Sequence, residues 1–146
     1  MTTVVESVEI ARTPDDVFAY VTDPSHLPDW QESVVRVEGG GGPVAETKTV
    51  SITRHVGPRD MTMRAELGNL DPPRSWTVRG LDGPVRGDVK GTVEPLDDGR
   101  RSRVTIEVDL HGHGIGKLIV PLVANRQVQK EMPRNMQHLK ERLEAH

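Results

Sequence analysis

No cysteine occurs among the 146 residues, which excludes disulfides, thiolate nucleophiles and thiolate metal sites. Aromatic side chains are scarce too: one Phe, one Tyr and two Trp leave few bulky groups to fill an interior. No apolar run approaches the ~18 residues that a membrane-crossing helix needs. The opening Met1-Thr2-Thr3-Val4-Val5-Glu6 lacks the basic head and long apolar stretch of an export signal, so the cytoplasm is the expected compartment. Neither sign of charge dominates, since 22 acidic against 19 basic residues give a formal net charge of -3. Nucleic acid is therefore not an expected partner, because no surplus of cations is there to displace phosphate counterions. What remains is 34% hydrophobic and 28% charged, the composition of a globular chain, and residues 1–146 read as one domain.

The strongest pattern lies at the C-terminal end. Val128, Met132, Met136, Leu139 and Leu143 recur at steps of four, four, three and four, which places all five on one side of an α-helix. Charged residues, Glu131 among them, are assigned to the remaining surface. From Leu118 to Leu143 such a helix is roughly 40 Å long at about 1.5 Å per residue, too long for a packing accessory. It needs a curved partner. Pro133 falls inside it and removes one backbone hydrogen bond, which predicts a kink over a ligand or a bend that follows the partner.

Strands precede it. Val4 to Arg12 alternates as a half-buried strand. Thr13-Pro14-Asp15-Asp16 reads as a helix start, with Thr13 as cap, Pro14 in the first turn and acids behind it. Pro24 to Trp30 forms a second short helix or turn with Leu27 and Trp30 inward. A strand at Val34–Val37 leads to Gly39-Gly40-Gly41-Gly42, expected as a mobile loop that could cover a cavity or meet a partner. Strands then follow around Thr47–Val56, Met61–Leu67, Trp76–Gly80, Val85–Val93 and Val104–Leu110. Turns fall at Asp71-Pro72-Pro73, Asp82-Gly83-Pro84 and Leu96-Asp97-Asp98-Gly99. Gly112, Gly114 and Gly116 end the last strand. The expected class is α+β: about six to seven antiparallel strands curled around one long C-terminal helix, with two short helices after the first strand.

The stretch Thr13-Pro14-Asp15-Asp16-Val17-Phe18-Ala19-Tyr20-Val21, followed by Asp23-Pro24, Leu27-Pro28 and Trp30, resembles the N-terminal signature of the START-like (SRPBCC) superfamily. The Leu70-Asp71-Pro72-Pro73 turn, the strands around Asp98-Gly99 and the terminal helix resemble that superfamily's helix-grip order, in its polyketide cyclase/dehydrase-type branch. The resemblance implies a deep cavity between sheet and helix for an apolar or aromatic small molecule, polyketide-like or lipid-like. It is specific for architecture and poor for activity.

Candidate ligand contacts are the inward positions Trp30, Ile52, Met61, Met63, Trp76, Val89, Leu110, Met132 and Met136. Flexible methionines adapt to irregular guests, and Gly87 and Gly91 on the dry side of one strand leave room where side chains ordinarily pack. Each of these residues also serves as ordinary core. Arg54 is the one charge on an apolar strand face. It either meets a ligand carboxylate or enolate, or is solvated after a bulge that turns Thr53 and His55 inward. Asn125 and Gln129, one helical turn apart, either donate into the cavity or face water. His111 and His113 form an i, i+2 pair at the expected mouth, with no third ligand at suitable spacing, so neither metal nor cofactor is expected.

Three functions compete. The first is binding of a hydrophobic small molecule by a monomer or weak homodimer. The second is catalysis, an aromatase/cyclase or dehydratase reaction in which Arg54 holds an oxygen and His113 or His111 serves as base. The third is an interaction protein with a vestigial cavity, which an exposed apolar patch would distinguish.

Overall fold

The architecture is taken from a computed structural model that describes residues 3–39 and 48–145. The loop expected at Gly39 to Gly42 lies, from Gly40 onward, outside the described residues. Seven strands form one antiparallel sheet in the order β1-β7-β6-β5-β4-β3-β2. They are β1 (Thr3–Ile10), β2 (Val34–Glu38), β3 (Lys48–Val56), β4 (Arg59–Asp71), β5 (Ser75–Gly80), β6 (Val85–Leu96) and β7 (Arg101–Gly112). Two short helices, α1 (Pro14–Val21) and α2 (Leu27–Trp30), interrupt the chain between the two edge strands, β1 and β2. The chain ends in α3 (Gly116–Ile119), a π-helical turn (Val120–Ala124) and α4 (Asn125–Glu144). This is the α+β arrangement expected of the sequence, a curled sheet gripping a long terminal helix.

Local chemistry explains the elements. Thr13 is extended at φ -67° and its Oγ1 accepts from the Asp16 N–H at 3.3 Å, while Pro14 needs no hydrogen-bond partner. The β6–β7 turn holds Asp97, Asp98 and Gly99 at φ 50°, 58° and 84°, the left-handed region that such residues tolerate best. Register shifts occur between Val34 and Arg36 in the β2–β3 pair and between Gly68 and Asp71 in the β4–β5 pair. Such irregularities bend and twist a strand, and here they accompany the curl of the sheet.

The helical stripe behaves as its spacing predicts. Met132, Met136, Leu139 and Leu143 are buried and Val128 is partly so, packed with Ile10, Val17, Phe18, Trp76, Val104 and Ile106 in one cluster. Full burial of such a side chain contributes about 1.5–3 kcal/mol, so this seam anchors helix to sheet. The helix adds two features that the sequence reading did not give. α4 is assigned as one element through Pro133, and an irregular π-turn lies earlier, where Pro121 sits between Val120 and Ala124. A proline six residues into a helix cannot donate to the preceding turn, and a π-turn accommodates that loss. Glu131, assigned to the surface by the sequence reading, is instead only 8% exposed.

On the outer face Glu9 accepts from Arg101 at 2.7 Å and Arg103 at 3.1 Å, and Arg103 also reaches Glu94 at 3.3 Å. Hydrogen bonds from Arg103 and Arg101 hold the Glu9 carboxyl below its usual pKa. Arg134 does the same for Glu32, and Lys140 for Glu144. A depressed carboxylate stabilises the fold above its unfolded pKa and ceases to as pH falls through the folded value. Thermal stability is therefore expected to hold from neutral pH down to about 4.5 and then to drop with acidification. Melting curves between pH 7 and 3 check this, with Glu9→Gln showing a smaller acid-induced drop than the parent.

Candidate functional site

Between the concave sheet and α4 lies a cavity of about 180 Å³, partly open to solvent. For scale, an apolar protein cavity of about 150 Å³ admits benzene. The cavity thus has room for a compact molecule of one or two rings. Its wall is mostly apolar. Ile52, Met63, Trp76, Val89, Leu110 and Met132 line it, and Trp30 closes the side formed by α2. All seven were expected there.

Polar groups gather on one side. Arg54, on β3, lines the cavity, and its Nη1 donates to Gln31 Oε1 at 2.6 Å and to Ser33 Oγ at 3.4 Å. Arg54 therefore borders the cavity; His55, mostly exposed, also borders it, and Thr53 is buried with its Oγ1 bonded across to Thr62 Oγ1 at 2.8 Å. Burial pulls the Arg54 pKa down from its usual value, and the charge of Glu131 opposes that shift. Glu131 is not in ion-pair contact with Arg54, since Ser33 stands between them. Glu131 Oε2 accepts from Ser33 Oγ at 3.0 Å and from Asn135 Nδ2 at 2.7 Å, while Asn135 Oδ1 accepts the Glu32 N–H at 3.1 Å. Among the described residues, only Nη1 of the Arg54 guanidinium is engaged. A planar fork with unspent donors thus faces an apolar hollow. The Trp30 indole N–H is buried without a partner as well.

Several expected residues stand elsewhere. Met61 is half-buried against the cluster of Val56, Val85, Val120 and Ala124, beyond the lining. Met136 is sealed in the core at 2% exposure. Gly91 leaves no room, because the Trp76 ring occupies that space: a Cβ there would meet Cζ2 at 2.2 Å. Phe18 holds the same ring edge-on at 5.9 Å. Gly87 does line the cavity, with an added Cβ at an ordinary 3.4 Å from Leu110. Gln129 is exposed, and Asn125 is outside the lining with its Oδ1 buried and unpartnered. His113 is exposed at the end of β7, where its backbone N–H donates to Pro84 O at 2.9 Å. His111 is bonded to Asp88 at 2.8 Å, a contact made by residues flanking the inward Leu110 and Gly87. The pairing of Arg54 with either histidine is therefore not brought together.

The sequence reading missed Gln31, Ser33, Gln127, Glu131 and Asn135. A signal was present: Gln127, Glu131 and Asn135 recur at steps of four, one position ahead of Val128, Met132 and Met136. A polar row beside the apolar stripe lies at the edge of whatever the stripe covers. Gln127 also pins the helix to the β3–β4 turn, donating to His55 O at 2.6 Å and accepting the Gly57 N–H at 2.9 Å.

A curled antiparallel sheet closed over a terminal helix, with an apolar hollow between them, is the architecture of START-like proteins. Residues 1–144 match the family described as polyketide cyclase / dehydrase and lipid transport, and the chain belongs to that family. No protein with a curated description matches the sequence. Among solved structures, a protein from Thermus thermophilus superposes with a TM-score of 0.79 at 16% identity, over 99% of this chain and 98% of its own. An aromatase/cyclase from Streptomyces gives 0.77 at 16%, covering 98% and 93%. A START superfamily protein from Mycobacterium smegmatis gives 0.69 at 13%, covering 98% and 94%. Identities this low establish the shared fold and nothing finer.

Proposed function

We propose that the protein binds a compact, mostly apolar molecule carrying one oxygen function, with the rings or alkyl portion in the hollow and the oxygen on Arg54. The observation that carries this is the set of unengaged Arg54 donors on the polar side of a mostly apolar hollow. An apolar pocket with a few convergent polar groups is the usual form of a small-molecule site. Family membership supports the ligand class. 2-Naphthoate and naphthalene, compared by calorimetry, test the reading. The carboxylate is expected to bind at least about tenfold tighter, a difference of about 1.4 kcal/mol, and Arg54→Met is expected to erase that preference. Equal affinities for the two probes, or no binding of either, would refute it.

Glu131 favours a second reading. A guanidinium able to polarise a carbonyl and a carboxylate able to take a proton face one hollow, as a ring closure or dehydration of a poly-β-keto chain requires. In that reading Glu131 replaces the histidines as base. Glu131→Gln keeps the shape and removes the base, so turnover of such a substrate should fall about a hundredfold or more.

A further inference from the structure

The segment 115–124 is apolar on both of its sides. Val120 and Ala124 are buried against Val56 and Val85, with Ile119 packed beside them. Outward, Ile115, Leu118 and Leu122 are 67%, 65% and 65% exposed. A helix that is apolar all round ordinarily has a partner on every side, yet none of the described residues covers this face. The glycines at its base fix the segment in place. A Cβ on Gly116 would stand 1.7 Å from the Pro84 carbonyl oxygen, and one on Gly112 would stand 2.2 Å from the Gly116 oxygen.

The charge around this face is one-sided. No acidic residue occurs between Asp109 and Glu131, whereas Lys117, Arg126 and Lys130 are all exposed. None of the three forms an ion pair among the described residues. On the adjoining strands and turns Asp82 pairs with Arg64 at 2.7 Å, while Asp88 and Asp60 contact His111 and His55 and Asp109 accepts from Thr3 Oγ1 at 2.6 Å, so none of these acids pairs with the three cations. A chain of net charge -3 therefore carries a local, uncompensated positive rim around its most exposed large apolar side chains. Screening limits all exposed charges to roughly 8 Å at physiological salt, so a surface that meets this face senses mainly the charges beside it, these three cations among them.

We infer that this face docks on an anionic lipid bilayer, with Leu118, Leu122 and Ile115 entering the acyl boundary and the three cations among the headgroups. Helices of this kind bind through buried apolar area combined with attraction to anionic lipid. A second copy of the chain fits less well. A two-fold contact through this face would oppose the cations of one subunit to those of the other, and three apolar side chains fall short of the roughly 800 Å² per partner of a stable interface. Docking does not depend on what the cavity holds. If the proposed ligand reading also stands, the site is well placed for exchange with a membrane, because Ala124 of the same segment lines the hollow.

Cosedimentation of the full chain with phosphatidylcholine vesicles, with and without phosphatidylglycerol, tests the inference. Binding is expected to the mixed vesicles, weakening as salt rises. Leu118→Ser/Leu122→Ser should lower the bound fraction about tenfold, and Lys117→Glu/Arg126→Glu should abolish the preference for anionic lipid. Val5→Ser, a change at another exposed apolar position (52%) on the edge strand β1, should leave binding intact. Melting curves in vesicle-free buffer report whether each variant is folded, and 2-naphthoate affinity in that buffer reports the cavity separately. No binding by the parent, or binding that both double variants retain, overturns the inference. So does a dimer in vesicle-free buffer that the leucine variant dissociates, since a second copy would then be the occupant.

Discussion

Glu131→Ala is expected to destabilise the protein by about 3 kcal/mol, whereas Arg54→Met, which removes the opposite charge from the same wall, is expected to cost no more than about 1.5 kcal/mol. Two effects make the changes unequal. Deleting the carboxylate strips the acceptor from both Ser33 Oγ and Asn135 Nδ2. It also leaves a buried guanidinium without a nearby countercharge, and a guanidinium cannot discard its proton to adapt. Deleting the guanidinium leaves both bonds to Glu131 in place, and a carboxylate can take up a proton when its countercharge is gone. Urea denaturation checks the pair, with midpoints shifting at constant slope if only stability has changed. Equal costs, or a cost under about 1 kcal/mol for Glu131→Ala, would mean that Glu131 behaves as a solvated side chain and the polar wall is not a unit. The experiment also bears on function, because the proposed roles of both residues require them to act within one desolvated network.

How far the sequence reveals this site follows from which signals are periodic. The helix and its stripe were legible because five apolar residues repeat over four turns, and burial follows repetition. The strands were legible for the same reason at period two, so Ile52, Met63, Trp76, Val89 and Leu110 could be assigned inward one by one. Arg54 stood out as a charge on such a face, yet a shift of one residue would have reversed its direction. Alternation alone could not settle that, because a bulge leaves no trace in it. The polar side of the cavity was harder to see. Gln31 and Ser33 sit in the short link between α2 and β2, where no period operates. Glu131 looked like one more charge on a charged helix. Its burial depends on Ser33 and Asn135, one of them nearly a hundred positions away. Asn125 and Gln129 were chosen from the adjoining residues of the same helix, which shows how one step in the sequence, about 100° of rotation, exchanges wall for surface. The exposed face of Ile115, Leu118 and Leu122 was hidden in the sequence for the opposite reason: apolar residues at helical spacing read as core unless the packing partner is known to be missing.

Gly87 and Gly91 share a strand, a face and a residue type, and leucine at the two positions is expected to give opposite results. At Gly87 the added Cβ meets Leu110 at 3.4 Å, an ordinary contact, and the rest of the side chain has the hollow to enter. The variant should fold with a change of no more than about 1.5 kcal/mol, since burial of the new side chain offsets part of any strain. Its affinity for 2-naphthoate should fall at least about a hundredfold, because the methyl groups occupy the volume the rings need. At Gly91 the Cβ alone would stand within 2.2–2.4 Å of three atoms of the Trp76 ring. The ring cannot yield toward Phe18, which already packs edge-on against it. Its only release is inward, into the hollow, at the cost of the core contacts it makes now. Gly91→Leu should therefore cost about 3 kcal/mol or more and shift tryptophan emission as the indole moves. Should Gly87→Leu bind the probe as well as the parent does, the ligand must lie somewhere other than between these strands and α4. Should Gly91→Leu be as stable as the parent, Trp76 has another seat, and the hollow is a space that this ring can fill.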